Sequence, residues 1–210
     1  MNVFRRAIAQ VVEYRRAYAV SNALYYGLVV AGMLLATMSR ETQAAVHEAV
    51  NEGIKGPLSP VVGAYESGVV PAAAATFLVN LLAGSLLVIT LPSLLIPFSG
   101  LLVTGYRAVL WGIIFAPTTL EPSGVQLTRG LLIAGLIFLE GQGYVLAALA
   151  AYVQGKGFLL PASVGASSRW QGYRIGLRWT AQHYLLVAAV LAVAAVYEAL
   201  LVVVILPGLK

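Results

Sequence analysis

An uncharged stretch from Ser67 to Tyr106 constrains this chain more than any other feature of its sequence. It is longer than the ~20 residues with which an α-helix crosses a hydrocarbon core of ~30 Å, so it holds more than one span. Pro92, Pro97 and Gly100 supply the turn that divides it. The chain is 60% hydrophobic and 10% charged, with a mean hydropathy of +0.87, whereas about 25% of the residues of a soluble domain are charged. The sequence predicts an integral membrane protein.

The predicted spans are helices, because the apolar runs are long and continuous, unlike the ~10-residue alternating segments of a β-barrel. The fold class is therefore all-α, a polytopic bundle of about five transmembrane helices in a single domain over residues 1–210. The predicted spans are residues 20–38, 74–91, 99–115, 131–153 and 184–205. An outer loop at 39–73 and a cytoplasmic loop at 154–183 connect them.

Residues 1–18 are predicted to form an interfacial helix on the cytoplasmic membrane surface. Phe4, Ile8, Val11 and Val12 fall on one helical face, and arginines occupy much of the rest. A plain helical extension of the first span with basic anchors explains the same pattern equally well. Both interpretations place the segment in the cytoplasm.

The loops contain helices of their own. In the outer loop at 39–73, Ser39 can cap a polar helix that Gly53 ends, and a Pro/Gly-punctuated stretch follows. In the cytoplasmic loop at 154–183, a serine cap precedes an interfacial helix that carries Trp170. The segment APTTLEPSGVQLTRG is predicted to be a short polar loop between two spans.

Lysine and arginine are unevenly divided between the two sides of a five-span bundle. The N-terminal segment has Arg5, Arg6, Arg15 and Arg16, the cytoplasmic loop has Lys156, Arg169, Arg174 and Arg178, and the opposite side has Arg40, Lys55, Arg129 and Lys210. By the positive-inside rule, the N-terminus is cytoplasmic and the C-terminus lies outside. Topology thus explains the net charge of +5. The sequence has no dense basic patch of the kind that binds nucleic acid. We expect a multi-pass protein of the cell membrane.

Three ionisable residues fall inside the predicted spans: Arg107, Glu140 and Glu198. A charge at the bilayer centre costs about 2.5–3.5 kcal/mol on insertion scales, so these side chains should face the bundle interior. Arg107 and Glu140 lie near mid-depth at ~1.5 Å per residue, which makes an ion pair geometrically possible. Glu198 lies nearer the outer leaflet, and only a tilt or an intervening group such as Tyr144 or Gln142 would join it to Arg107.

Three interpretations of this intramembrane polar cluster remain open. In the first, the charges fix which helices are neighbours, and Asn80, Gln142 and Tyr144 complete their hydrogen bonds. In the second, they form a functional site for a proton, an ion or a lipid headgroup. In the third, a span boundary is misplaced and one charge reaches the interface by snorkelling.

No motif for catalysis or metal binding is complete in this sequence. HEAVN at 47–51 departs from the zinc pattern H-E-x-x-H because Asn51 replaces the second histidine, and His183 is predicted on the other side of the membrane. The glycines of EGQG and GKG follow no strand and lack a P-loop lysine in register. The absence of cysteine excludes thiol catalysis and thiolate metal sites. We expect a protein without catalytic residues, metal or cofactor.

Three short patches resemble the stage II sporulation protein M family of polytopic membrane proteins. TFLVNLLAG is similar to the family's F-x-x-N opening of the second span, with Phe77 and Asn80 in those positions. LEGQGYVLAALAAYVQG resembles a family pattern in which Glu140 and Gly141 precede alanine and a distal glycine. AAVYEALLVVVILP resembles the last span, where an acid followed by alanine precedes a terminal proline; Glu198 is that acid.

The resemblance covers about two-thirds of the chain, from the second predicted span onward. The family often has His where Glu140 stands and Glu where Tyr144 stands, which leaves an acid in the same helix one turn away. An Asn-Gly of the family corresponds to the neighbourhood of Ser99 and Gly100. Arg107 indicates a divergent branch in which the arginine pairs with the glutamate.

The resemblance implies a non-enzymatic scaffold or assembly subunit of a membrane complex, with a role in cell-envelope remodelling. Its partners would be the lipid bilayer and other membrane or envelope proteins, reached through the outer loop at 39–73 and the lateral helix faces. A homo-oligomer is compatible with that role. The alternative is a transport or permease subunit in which Glu140 or Glu198 binds a proton or an ion.

Overall fold

The computed structural model describes residues 3–117 and 124–209, and all regular structure in these ranges is helical. The helices are α1 Val3–Glu13, α2 Arg15–Met38, α3 Arg40–Lys55, α4 Ser59–Glu66, α5 Val69–Leu95, α6 Ser99–Ile114, α7 Gly124–Leu159 and α8 Arg169–Gly208. Helix α5 is π-helical over Val79–Thr90, and α8 over Leu201–Ile205. The predicted all-α fold class is confirmed. Of the polar loop predicted at 116–130, residues 118–123 lie outside the described ranges, and residues 124–130 instead form the first turns of α7.

Four helices of the described ranges are long and apolar enough to cross a membrane: α2, α5, α7 and α8. The predicted spans at 20–38, 74–91, 131–153 and 184–205 each fall inside one of them. The predicted span at 99–115 corresponds to α6, which is apolar but has only 16 residues, fewer than the ~20 of a full crossing.

The cytoplasmic loop predicted at 154–183 is mostly helical. Helix α7 continues to Leu159, and α8 begins at Arg169, so the predicted interfacial helix and the last predicted span form one continuous helix. Ser168 caps α8 by accepting a hydrogen bond from the Gln171 backbone N–H at 3.2 Å. The turn between the two helices passes through Gly165 at φ +70°, a left-handed conformation that favours glycine.

Helix α7 is the centre of the bundle, and every residue from Gly143 to Ala151 is buried. It packs against the antiparallel α8, and the two backbones are very close at Gly157 and Gly172. A Cβ added to Gly172 would lie only 1.9 Å from the Gly157 carbonyl oxygen, so only glycine fits there. Small residues at such crossings let two backbones approach, which is how membrane helices pack without a hydrophobic driving force. On another side, α2 packs against α6 in the same way, through glycines on both helices.

The loop predicted at 39–73 forms a folded cap on one end of the bundle, and we call residues 39–68 the cap. Ser39 caps α3, as the sequence predicts, by accepting from the Thr42 backbone N–H at 3.3 Å. Helix α3 continues past Gly53 to Lys55. Gln43 joins α3 to the segment after α6 by donating to the Ala116 carbonyl oxygen at 3.2 Å. The cap ends earlier than the predicted loop, because the backbone turns into α5 at Gly68, where φ is +116°.

Candidate functional site

Arg107, Tyr144 and Glu140 meet in the bundle interior, between α5, α6 and α7. The Tyr144 hydroxyl donates a hydrogen bond of 2.5 Å to Glu140 Oε1, and both side chains are buried. The Arg107 guanidinium carbon lies 4.2 Å from the centroid of the Tyr144 ring. Gly84 of α5 leaves room for this group, because a Cβ there would lie 3.1 Å from the Tyr144 hydroxyl and 3.5 Å from an Arg107 terminal nitrogen.

Tyr144 takes the place of the direct ion pair that the sequence makes possible. It presents its π face to the Arg107 cation and its hydroxyl to the Glu140 carboxylate, so it connects the two charges. A desolvated cation–π contact contributes about 2 kcal/mol, and a hydrogen bond to a charged group about 1.5–3 kcal/mol. The Nε of Arg107 is buried and has no hydrogen-bond partner in the described ranges.

One side of Glu140 faces a small space with mostly apolar walls. The small space beside its side chain has no room for a water molecule. That space is lined by Tyr25, Trp111, Phe115, Leu136 and Ile137. In the described ranges, Tyr144 is the side chain that donates a hydrogen bond to Glu140, at Oε1.

Glu198 is hydrogen-bonded to the cap, and Gln142 does not connect it to Arg107. Its Oε1 accepts a hydrogen bond of 2.9 Å from the Tyr65 hydroxyl, and that hydroxyl lies 2.8 Å from Thr76 Oγ1. Because Tyr65 donates to Glu198, Thr76 must donate to Tyr65. Burial raises the pKa of Tyr65, and the nearby Glu198 charge raises it further, so the phenol keeps the proton that this contact needs. Neither Tyr65 nor Thr76 carries a sequence signal that would have identified it.

Gln142 belongs to a separate polar network and not to the predicted cluster. It accepts from the Tyr18 hydroxyl and donates to Asn22 Oδ1 at 2.6 Å and to the Tyr26 hydroxyl at 2.7 Å. Two residues along a helix turn the side chain by about 200°, so Gln142 and Glu140 point to opposite sides of α7. Gln142 therefore holds α7 to α2.

Asn80 lies on the π-helical part of α5 and is partly buried. Within residues 3–117 and 124–209 its side chain forms no hydrogen bond, so nothing in the described chain joins it to Arg107 or Glu140. The structure thus brings together Arg107, Glu140 and Tyr144 and ties Glu198 to the cap.

His183 lies in the bundle interior, although the sequence places it in a cytoplasmic loop. It is fully buried within α8 and stacks on Trp179 with 4.5 Å between the ring centroids. In the described ranges no His, Asp or Glu side chains form a group of three or more that could hold a metal ion. The difference arises because α8 is continuous from Arg169, so His183 lies in the part of this helix that packs against α7.

No family model, curated protein or solved structure matches this chain. What the site can do therefore follows from its own geometry. Among the described residues, the charged groups are joined by hydrogen bonds and a ring contact that link α6 to α7 and the cap to α8. Such contacts fix helix neighbours, and a buried carboxylate can also hold a proton.

Removing the Tyr65 hydroxyl is expected to loosen the cap. In Tyr65→Phe, Glu198 and Thr76 lose their shared partner, which should lower the free energy of unfolding by about 1–3 kcal/mol. The readouts are thermal unfolding of the purified protein in detergent and the rate of proteolysis within residues 39–68. Tyr106→Phe is the control, because Tyr106 is 65% exposed. Equal behaviour of the two variants would show that the Tyr65 contact does not hold the cap.

Proposed function

We propose that this chain is a non-enzymatic, multi-pass membrane protein that serves as a scaffold or assembly subunit of a membrane complex and presents its cap to a partner. The observation that carries the proposal is the attachment of the cap to the bundle at two separate points. Tyr65 binds Glu198 of α8, and Gln43 binds the carbonyl of Ala116 after α6. A surface held in this way is ordered before the partner arrives, so association loses less conformational entropy.

The outward face of α3 is an acidic stripe formed by Glu41, Glu48 and Glu52, all exposed. The residues that face the bundle, Gln43 and Val46, lie on the other side of the helix. Like charges at positions i and i+4, such as Glu48 and Glu52, destabilise a helix by about 0.2–0.5 kcal/mol. Glu41 lies in the first turn of α3, where a negative charge is favourable, and Lys55 lies one turn after Glu52, so part of the stripe also stabilises the helix. Glu48 and Glu52 are exposed on the face that is turned away from the bundle, and we assign them to the recognition of a partner with a basic surface.

The topology that suits this role has five crossings. Helix α6 would be the third, and its 16 residues extend about 24 Å, which a locally thinner bilayer accommodates. The distribution of lysine and arginine supports a cytoplasmic N-terminus, with the cap and the C-terminus outside the cell membrane. The acidic stripe would then face extracytoplasmic partners.

The three patches that resemble the stage II sporulation protein M family support the same class of function. Glu140 and Glu198, the two acids of those patches, are here the anchors of Tyr144 and Tyr65. The resemblance implies assembly with other membrane or envelope proteins in cell-envelope remodelling. It does not require catalysis by this chain.

A transport or permease subunit is the second candidate, and one observation favours it. Arg107 and Glu140 are charged groups in the interior of the bundle, and Arg107 Nε has no partner in the described ranges. Against it stands the space beside Glu140, which does not admit water. In a transporter, Glu140→Gln would fold normally and abolish proton or ion flux in reconstituted liposomes. In a scaffold, the same variant would retain its partner.

Reversing the acidic stripe is expected to detach the partner. The double variant Glu48→Lys, Glu52→Lys should lower recovery of a stoichiometric partner at least about ten-fold on affinity purification from native membranes in mild detergent, since like-charge contacts cost several kcal/mol. Glu13→Lys is the matched control, because Glu13 is also exposed but lies on α1, outside the cap. Unchanged recovery of the partner by the double variant would refute the scaffold proposal for the cap.

A further inference from the structure

A half-open apolar groove of about 440 Å³ runs along α2 between α6 and α7. Its volume falls within the ~300–1,000 Å³ of small-molecule sites. On α2 the groove extends from Arg16 to Leu28, about 18 Å at ~1.5 Å per residue, which is close to half of a ~30 Å hydrocarbon core. The groove therefore matches the depth of a single leaflet.

One end of this groove is positively charged and the remainder is apolar. Arg16 is the single charged residue among the described lining residues. Nearby, Lys156 Nζ lies 5.4 Å from the centroid of the Tyr14 ring, and Tyr152, one turn before Lys156, lines the groove. The Thr104 hydroxyl in the wall is already bound, because it donates to the Gly100 carbonyl oxygen at 2.7 Å. A ligand with a long apolar body and one anionic end fits this arrangement.

The charged end of the groove distinguishes between two kinds of apolar occupant. The apolar face of a partner helix carries no group for Arg16, whereas an anionic lipid carries a phosphate beside its acyl chains. A flexible acyl chain is thinner and can follow the wall formed by Leu24, Leu101 and Val145. The surrounding leaflet supplies such chains at high local concentration.

We propose that the groove binds one anionic phospholipid from the leaflet at the N-terminal end of α2, with its phosphate on Arg16 and an acyl chain along α2 toward Leu28. The site goes beyond the scaffold proposal and does not depend on a partner at the cap. Basic side chains close to a membrane surface attract anionic lipids by about five-fold each in affinity. A lipid held here would fill the space between α2, α6 and α7.

The test is native mass spectrometry of the intact protein in a neutral detergent, with dioleoyl phosphatidylglycerol or dioleoyl phosphatidylcholine added. We expect one phosphatidylglycerol to be retained at least about five-fold more than phosphatidylcholine. Arg16→Gln should remove that preference, whereas Arg15→Gln, an exposed neighbour outside the groove, should change it by less than about two-fold. Equal losses in both variants would mean that only general surface charge attracts the lipid, and would overturn the site.

A second pair of variants tests the apolar part of the site. Val20→Trp places a large ring in the groove, and Val20 is 58% exposed, so folding should be preserved. It should abolish retention of phosphatidylglycerol, while Val30→Trp, at a position 54% exposed on the same helix and outside the groove, should not. Leu24→Trp, at 61% exposure, replaces Val20→Trp if that variant does not purify as one species. Retention in the groove-filling variant, or equally tight binding of glycerophosphoglycerol without acyl chains, would overturn the proposal.

Discussion

Replacing Gly112 by alanine is expected to push α2 away from α6 and to destabilise the bundle strongly. A Cβ on Gly112 would lie 2.1 Å from the Val29 carbonyl oxygen and 2.9 Å from Gly32 Cα. Both atoms belong to the backbone of α2, so no side-chain rotation can relieve the clash. Overpacking of this kind costs about 1–3 kcal/mol and sometimes more, and we expect about 3 kcal/mol or more for Gly112→Ala.

Thermal unfolding in detergent measures this effect, and Gly27→Ala provides the control. Gly27 lies on the same α2, but a Cβ there meets no atom within 4 Å. Because alanine is the better helix former, Gly27→Ala should leave the stability unchanged or raise it by about 0.5–1 kcal/mol. A Gly112→Ala protein as stable as Gly27→Ala would show that α2 and α6 do not approach each other at this point.

Replacing Arg107 by methionine is expected to leave Glu140 as a buried carboxylate without a nearby cation. Arg107 is half-buried and acts on Glu140 through Tyr144, so the variant loses a cation–π contact of about 2 kcal/mol and leaves the buried carboxylate without that positive charge. Tyr144 would still donate to Glu140, but its ring would lose the guanidinium that lies 4.2 Å from its centroid. We expect Arg107→Met to reduce accumulation in membranes and to lower the free energy of unfolding of the purified protein.

The double variant Arg107→Met, Glu140→Gln tests whether the two charges are coupled. The glutamine keeps an oxygen that can accept from Tyr144 and removes the unpaired charge, so we expect the double variant to recover most of the stability lost in Arg107→Met. Arg178→Met is the control, since Arg178 is exposed on α8. Additive losses in the two single variants, with no recovery in the double variant, would show that Arg107 and Glu140 act independently.

Several parts of the structure follow from the sequence because they depend on local chemistry. Long apolar runs must form helices in a membrane, where each backbone polar group needs a partner within its own segment. Ser39 identifies the start of the cap, because a hydroxyl can satisfy a free backbone N–H at a helix terminus. The cost of an isolated charge in an apolar setting also predicts that Arg107 and Glu140 lie in the bundle interior.

The tertiary structure decided which side chains meet. Sequence position gives the depth of a residue along its helix, but the rotation of the helix and its neighbours depend on how the glycines and alanines of α2, α6, α7 and α8 pack. This packing places Tyr144 between Arg107 and Glu140, and it turns Gln142 toward α2. The contact between Tyr65 and Glu198 joins residues 133 positions apart, and no local pattern connects them. The sequence thus determined a helical membrane bundle with inward charges, and packing over long sequence distances determined the partner of each charge.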